Sequence, residues 1–250
     1  MQGNKKHIYF ASDVHLGLPD FKRSLEREKL FVAWLDTIKK DAAEIYLLGD
    51  IFDFWFEYSK VVPRGFTRFL GKIAELTDNG IPVHFFRGNH DMWAFDYLRQ
   101  ETGCILHSGH FTTVLNGKKF YMAHGDGLGP GDYSYKFLRF IFRASLSHWL
   151  FARIHPNLGV GFANFWSHKS RKLQGVPSFQ GEEKEWLVLH AKKILEKEHF
   201  DYFVFGHRHI VVELPLSEKS TYFNLGDWIN NFTFGVFDGE KFTLQKFCEK

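Results

Sequence analysis

Short apolar runs alternate with longer stretches of helical spacing along the first third of the chain. His7–Ser12, Glu44–Leu48 and Ile81–Phe86 are short, and rich enough in β-branched and aromatic residues, to be buried strands. Between the first two, Leu30, Phe31, Trp34, Leu35 and Ile38 mark the core-facing stripe of a helix over Ser24–Lys40. Phe69, Leu70, Ile73 and Leu76 mark a second helix over Phe66–Asp78, which Asn79-Gly80 terminates. The order β-α-β-α-β predicts parallel strands joined by right-handed crossovers. Further on, Thr112–Leu115 and Lys119–Ala123 flank Asn116-Gly117, a hairpin signal. Tyr202–Phe205, Val211–Leu214, Tyr222–Asn224, Phe232–Phe237 and Lys241–Lys246 predict a closing set of strands, with Asp238-Gly239 as another hairpin turn.

Composition sets only the outer bounds. The 250 residues are 44% hydrophobic and 24% charged, which predicts one globular domain over 1–250. The net charge of +3 does not call for nucleic acid. Cys104 and Cys248 make no CxxC, no apolar run of signal-segment length follows Lys5-Lys6, and no span is long enough for a membrane. A cytoplasmic protein is expected. The 14 histidines are many for this length, and their positions change the picture.

Five predicted strands end in metal-type ligands. Asp13 and His15 follow the first strand, two residues apart, so an extended backbone would turn both to one face. Gly49-Asp50 ends the second strand and Gly88-Asn89-His90-Asp91 the third. His124-Gly125-Asp126 follows the second hairpin strand, and Gly206-His207-Arg208-His209 the strand after it. Parallel strands bring such tips to one edge, where α/β proteins place their chemistry. Three of the tips are introduced by Gly, which lets backbone and ligand come close. Carboxylate and imidazole together suit Mn, Fe or Zn better than Ca. The donors are too many for one ion. Two ions need a shared carboxylate, and Asp50, alone at its tip, is the candidate. Phe52, Phe54, Trp55 and Phe56 beside Asp53 are expected to be mostly core.

These motifs, in this order and across nearly the whole chain, resemble those of the calcineurin-like metallophosphoesterases. The resemblance implies a four-layer αββα sandwich with a dinuclear centre. It implies Asp13, His15, Asp50 and His209 on one ion, with Asp50, Asn89, His124 and His207 on the other. Mn is the expected metal, with Fe or Zn as alternatives. His90 would act on the leaving group as acid or electrostatic stabiliser rather than as a ligand, held in one tautomer by Asp91.

The stretch 133–181 departs from a plain phosphoesterase. It contains no Asp or Glu but has Lys136, Arg139, Arg143, Arg153, Lys169, Arg171 and Lys172, so it carries +7 against −4 elsewhere. Phe137, Phe140, Phe142, Trp149, Phe151 and Phe162 are among its many large apolar residues. Much of it has helical spacing, with breaks expected at Pro156-Asn157, Gly159 and Gly161. A basic, apolar, acid-free insertion predicts a helical cap for an anionic, apolar partner such as a phosphate-bearing lipid or a membrane surface. In this it resembles the UDP-2,3-diacylglucosamine hydrolases of lipid A synthesis. That resemblance implies substrate contacts at Asn89, Asp132, Ser167, Ser170, Lys172 and His207. It also implies a peripheral place on the cytoplasmic face of the inner membrane, with no protein partner. Many of that group carry Arg after the Asn where this chain has His90, so it looks like a His-bearing branch. Two alternatives stay open: a soluble phosphoesterase acting on nucleotides, and a scaffold that uses the fold without catalysis.

Overall fold

A computed structural model describes residues 6–131, 133–174 and 178–247, with side chains except at Ser134, Asn164, Trp166 and 168–174. Two sheets stack face to face with helices on both outer faces, the four-layer αββα sandwich. In the first, β1 (His7–Ala11), β2 (Ala42–Leu47), β3 (Val83–Phe86) and β4 (Ile105–His107) run parallel. β10 (Thr233–Phe237) and β11 (Phe242–Lys246) extend it antiparallel, for the order β11-β10-β1-β2-β3-β4. The second has β5 (Phe111–Leu115), β6 (Lys118–Ala123), β7 (Tyr202–Phe205), β8 (Val211–Ser217) and β9 (Ser220–Leu225), in the order β5-β6-β7-β9-β8. Its three central strands β6, β7 and β9 are parallel. The tips of β1, β2 and β3 in one sheet therefore meet those of β6, β7 and β9 in the other.

The helices follow from local signals. α1 (Phe21–Ile38) begins where the Asp20 side chain accepts the Arg23 N–H at 3.0 Å, and buries Phe31, Trp34, Leu35 and Ile38. The expected start at Ser24 was three residues late, because Asp20 and not Ser24 is the cap. α2 (Thr67–Asp78) turns Phe69, Ile73 and Leu76 to the same core and stops before Gly80 at φ 78°. Between the sheets, Phe10 stacks on Tyr46 at 5.1 Å and on Phe120 of the opposite sheet at 5.9 Å. Burying one such ring contributes about 1.5–3 kcal/mol. On the far face, Leu187, Val188 and Ala191 of α7 (Trp186–Leu195) cover Tyr121, Phe203 and Phe205. Three elements had no counterpart in the sequence pattern: α7, β4 and α3 (Tyr97–Thr102). β4 and α3 are too short for a period to show.

Between β6 and β7 lie α4 (Tyr133–Arg143), α5 (Ser145–Phe151) and α6 (Pro156–Gln174). The expected breaks in this stretch are not all breaks. Pro156 opens α6, where a missing N–H costs nothing, but Gly159 and Gly161 lie inside it. Gly159 is a contact point: a Cβ there would meet the Tyr58 hydroxyl at 2.7 Å and the Phe151 ring at 3.1 Å. The insertion docks on the loops after β2 and β3. Phe151 packs against Phe56 and Trp93, and Trp93 Nε1 donates to the Phe142 carbonyl at 2.9 Å. Among the described residues no helix is long and apolar enough to cross a membrane.

Candidate metal centre

The strand-tip residues converge, though not by the route expected. β1 ends at Ala11, and Asp13 and His15 both take left-handed backbone, at φ 56° and 49°. Their common direction comes from these kinks rather than from strand alternation. Asp50, His207 and His209 are also left-handed, at φ 53°, 66° and 53°. Asp and His tolerate this region better than most L-residues, yet it costs of order 1–3 kcal/mol each and needs surrounding structure to hold it. That structure is visible. Asp13 Oδ2 accepts the His207 N–H at 2.9 Å, and Asp50 Oδ1 accepts the His90 N–H at 2.8 Å. Buried Arg27 donates to the carbonyls of Val14 and His15 at 3.2 and 2.8 Å. A Cβ on Gly88 would collide with the Asp50 carboxylate, so only Gly lets β3 run this close.

Three donor clusters result among the described residues, Asp13–His15–His209, Asp50–His124–His207 and His15–Asp53–His90; the first two carry the residues expected as ligands. The Nε2 atoms of His209 and His15 stand 3.4 and 3.8 Å from Asp13 Oδ1. His15 Nε2 is 3.7 Å from Asp50 Oδ2, and His124 Nε2 is 3.2 Å from the same oxygen. Asp50 thus lies between the clusters, where a shared carboxylate is expected. Asn89 joins the second through Oδ1, 3.2 Å from His124 Nε2. Asp13 Oδ1 is buried and has no hydrogen-bond partner among the described residues.

Electrostatics also suit a divalent cation. Burial works against ionising Asp13, yet His209 and His15 hold its carboxyl down at about 2. Burial disfavours a charged His124, but Asp50 and Asp13 hold it up at about 10. Burial and the neighbouring His124 push His207 down to about 3. Buried carboxylates faced by imidazoles aimed at the same points form a donor set that a divalent ion satisfies better than protons do.

His90 and Asp91 part company. His90 is half-buried beside His15, with ring centroids 4.9 Å apart. Its Nδ1 lies 2.8 Å from the Asp53 carbonyl oxygen and 3.8 Å from Asp53 Oδ1. Asp91 does not hold it. Asp91 is fully buried and accepts the N–H groups of Gly88 and Ile51 at 2.6 and 2.8 Å, with Asp50 and Phe52 N–H at 3.4 Å. It fastens the tips of β2 and β3 together. Burial and the nearby Asp50 raise its pKa to about 7.

Asp53 and Asp227 were not recognised as site residues in the sequence. Asp53 Oδ1 stands 3.3 Å from His15 Nδ1, and its Oδ2 accepts from the Ser167 hydroxyl at 3.0 Å. Ser167 is buried and bonded to this core carboxylate rather than facing open space. Asp227 Oδ2 lies 3.1 Å from His209 Nδ1. Asp227 did carry a signal: Leu225-Gly226-Asp227 ends β9 just as Leu48-Gly49-Asp50 follows β2. Of the remaining expected substrate contacts, Asp132 and the side chains of Ser170 and Lys172 lie outside the described residues. Arg139 and Arg143 pair with the buried Asp126 at 2.6 and 3.5 Å, so the basic excess of the insertion is partly used inside the protein.

Comparison with known proteins identifies the family. A sequence model of the family described as calcineurin-like phosphoesterase matches residues 6–211. A UDP-2,3-diacylglucosamine hydrolase of Porphyromonas gingivalis is 41% identical, covering 96% of this chain and 97% of that protein. Hydrolases of the same name from Vibrio parahaemolyticus and Haemophilus influenzae are 27% and 28% identical, over 94% and 91% of this chain and 96% and 92% of theirs.

Proposed function

The chain belongs to the calcineurin-like phosphoesterase family and is a metal-dependent hydrolase, and on that premise we propose that it cleaves the pyrophosphate bond of UDP-2,3-diacylglucosamine. The products are UMP and 2,3-diacylglucosamine 1-phosphate, and the setting is lipid A synthesis. The observation that carries this reading is the conjunction of two donor clusters flanking Asp50 with an adjoining insertion rich in uncovered apolar side chains. Tyr133, Phe137, Phe140, Leu146, Leu158 and Phe162 are all more than half exposed. So many exposed rings on one insertion exceed what a solvated surface carries without purpose. The insertion 133–181 acts as a cap on a single domain, receiving acyl chains and touching the cytoplasmic face of the inner membrane.

Asp13, His15, Asp50 and His209 would hold one divalent ion, and Asp50, Asn89, His124 and His207 the other, with Mn the metal of choice and Fe or Zn as alternatives. Such ions supply charge stabilisation at the phosphoryl oxygens and a water of lowered pKa. The protein does the rest. Asp50 holds the clusters in register, and the His90 N–H fixes Asp50 Oδ1. The Asp53 carbonyl accepts from His90 Nδ1–H and orients the ring, so that in the imidazolium form the Nε2–H would serve the leaving oxygen as acid or charge stabiliser. Asn89 and His207 would also contact substrate oxygens. Acyl chains bound at the insertion contribute up to about 0.8 kcal/mol per buried CH₂, binding energy that can place the pyrophosphate for reaction.

The test is UMP release with Mn from the diacylated substrate, its deacylated analogue and an aryl phosphodiester. The lipid reading requires kcat/KM for the diacylated substrate to exceed that for the analogue by tenfold or more, as burial of about two CH₂ groups would already give. Equal turnover of the two would leave a soluble nucleotide phosphoesterase. No turnover of any of the three would overturn the substrate reading.

A further inference from the structure

Asp227 closes a turn that touches both outer members of one donor cluster. It is only 2% exposed, and its two oxygens have different tasks. Oδ1 accepts three successive backbone N–H groups, from Ile229, Asn230 and Asn231, at 3.1, 2.8 and 3.0 Å. A carboxylate saturated on one side in this way is held against rotation. Its Oδ2 is left 3.1 Å from His209 Nδ1. Asn231 Nδ2 donates to the His209 carbonyl at 3.1 Å, and the Trp228 N–H donates to the Asp13 carbonyl at 3.1 Å. The turn therefore grips the backbone of His209 and of Asp13, whose ligand atoms stand 3.4 Å apart.

We propose that Asp227 is a positioning residue that keeps the proton of His209 on Nδ1 and presents Nε2, made more basic, to the cation on the Asp13 side. The inference rests on the reading of His209 as a ligand. The two sides of the centre are not backed alike. His209 faces the carboxylate of Asp227 and His15 that of Asp53, whereas His124 Nδ1 meets the Leu48 carbonyl at 2.8 Å and no carboxylate among the described residues. An anionic partner behind a ligating imidazole strengthens it as a donor, and losing such a partner costs about 10–100-fold in metal affinity. Asp227 therefore bears on one ion of the pair and not on the other.

Asp227→Asn tests this in the full chain. Asn keeps the size and can still accept the three N–H groups, but its amide N–H then faces His209 Nδ1 and forces the proton to Nε2. Mn titrated calorimetrically into the chelator-stripped protein should bind one site about 10–100-fold more weakly, with the other within about twofold of wild type. His209→Ala is the control and should abolish that same site. If His209→Ala loses one ion while Asp227→Asn binds both like wild type, or weakens both equally, the positioning role is overturned and the ligand reading stands. If His209→Ala keeps both ions, the ligand reading falls and the inference with it. Should Asp227→Asn fail to fold, long-range ¹⁵N–¹H spectra of the Zn-loaded wild type decide. They should show His209 protonated at Nδ1, and a proton at Nε2 overturns the proposal.

Discussion

Replacing Asp91 by Ala separates the two roles that its place next to His90 suggests. In the structure its carboxylate accepts two short N–H bonds, from Gly88 at 2.6 Å and Ile51 at 2.8 Å, at a site with no solvent exposure. The contacts at 3.4 Å to Asp50 and Phe52 are marginal and are left out of the reckoning. Stranding a buried N–H costs about 1–3 kcal/mol, so the loss should be about 2–6 kcal/mol, a large share of a total stability of about 5–15 kcal/mol. Urea unfolding in excess chelator isolates the fold from stabilisation by bound metal. The midpoint should fall with an unchanged slope. Metal binding should also fail at both ions, since the tips carrying Asp50 and Asn89 lose their fastening. His90→Ala makes the contrast, with unfolding within about 1 kcal/mol of wild type, full metal, and kcat down about 10²–10⁴-fold. If Asp91→Ala leaves the chelated protein as stable as wild type while kcat collapses, Asp91 acts on His90 after all.

Asp50→Ala should abolish turnover and remove at least one equivalent of metal, and elemental analysis showing full occupancy with normal turnover would refute its shared position. A second titration concerns the His84–His107 contact at 2.9 Å, whose imidazoles burial pushes down to about 4. Unfolded imidazoles titrate near about 6.5, so between about 6.5 and 4 the unfolded chain takes up more protons. The stability from these residues is whole above about 6.5 and is lost as pH falls toward 4. Urea midpoints should drop less over that window in a His84→Gln/His107→Gln variant, and parallel curves would refute the assignment. On the insertion, Phe137→Ser with Phe140→Ser should weaken partitioning onto anionic vesicles about tenfold or more without loss of the aryl phosphodiesterase activity. Unchanged partitioning would remove the membrane contact. Charge reversal at Arg139 or Arg143 is a poorer probe, because it would break their pairing with Asp126.

The parallel strands and their ligand tips were legible because each carries its own punctuation: an apolar run, a break, then Asp, Asn or His. What could not be read is how the tips turn. Left-handed φ at Asp13, His15, Asp50, His207 and His209 is imposed by bonds across the sheets, and no local pattern encodes it. The same limit explains Asp91, whose neighbour in sequence is His90 but whose partners in space are backbone groups of the loops after β2 and β3. Asp53 bears on His15, His90 and Ser167 at once, and all three partners are distant in the chain. Asp227 was missed for another reason: its strand–Gly–Asp signature was present, but strand β9 read as closing structure rather than as a neighbour of β7.

The insertion leaves the core at the end of β6 and the chain re-enters at β7, and these strands are paired neighbours, with Ala123 opposite Phe205. β7 begins at Tyr202, opposite Phe120 rather than Ala123, so the chain beyond the insertion runs back along the sheet through α7 before it pairs. Lengthening such a loop is cheap, about 0.6 kcal/mol for each doubling. Substrate choice and bond cleavage can then evolve at separate rates. A lineage can exchange one set of helices for another between these two strands, and select for a new headgroup or tail, while the histidines at both ends of the splice keep their register.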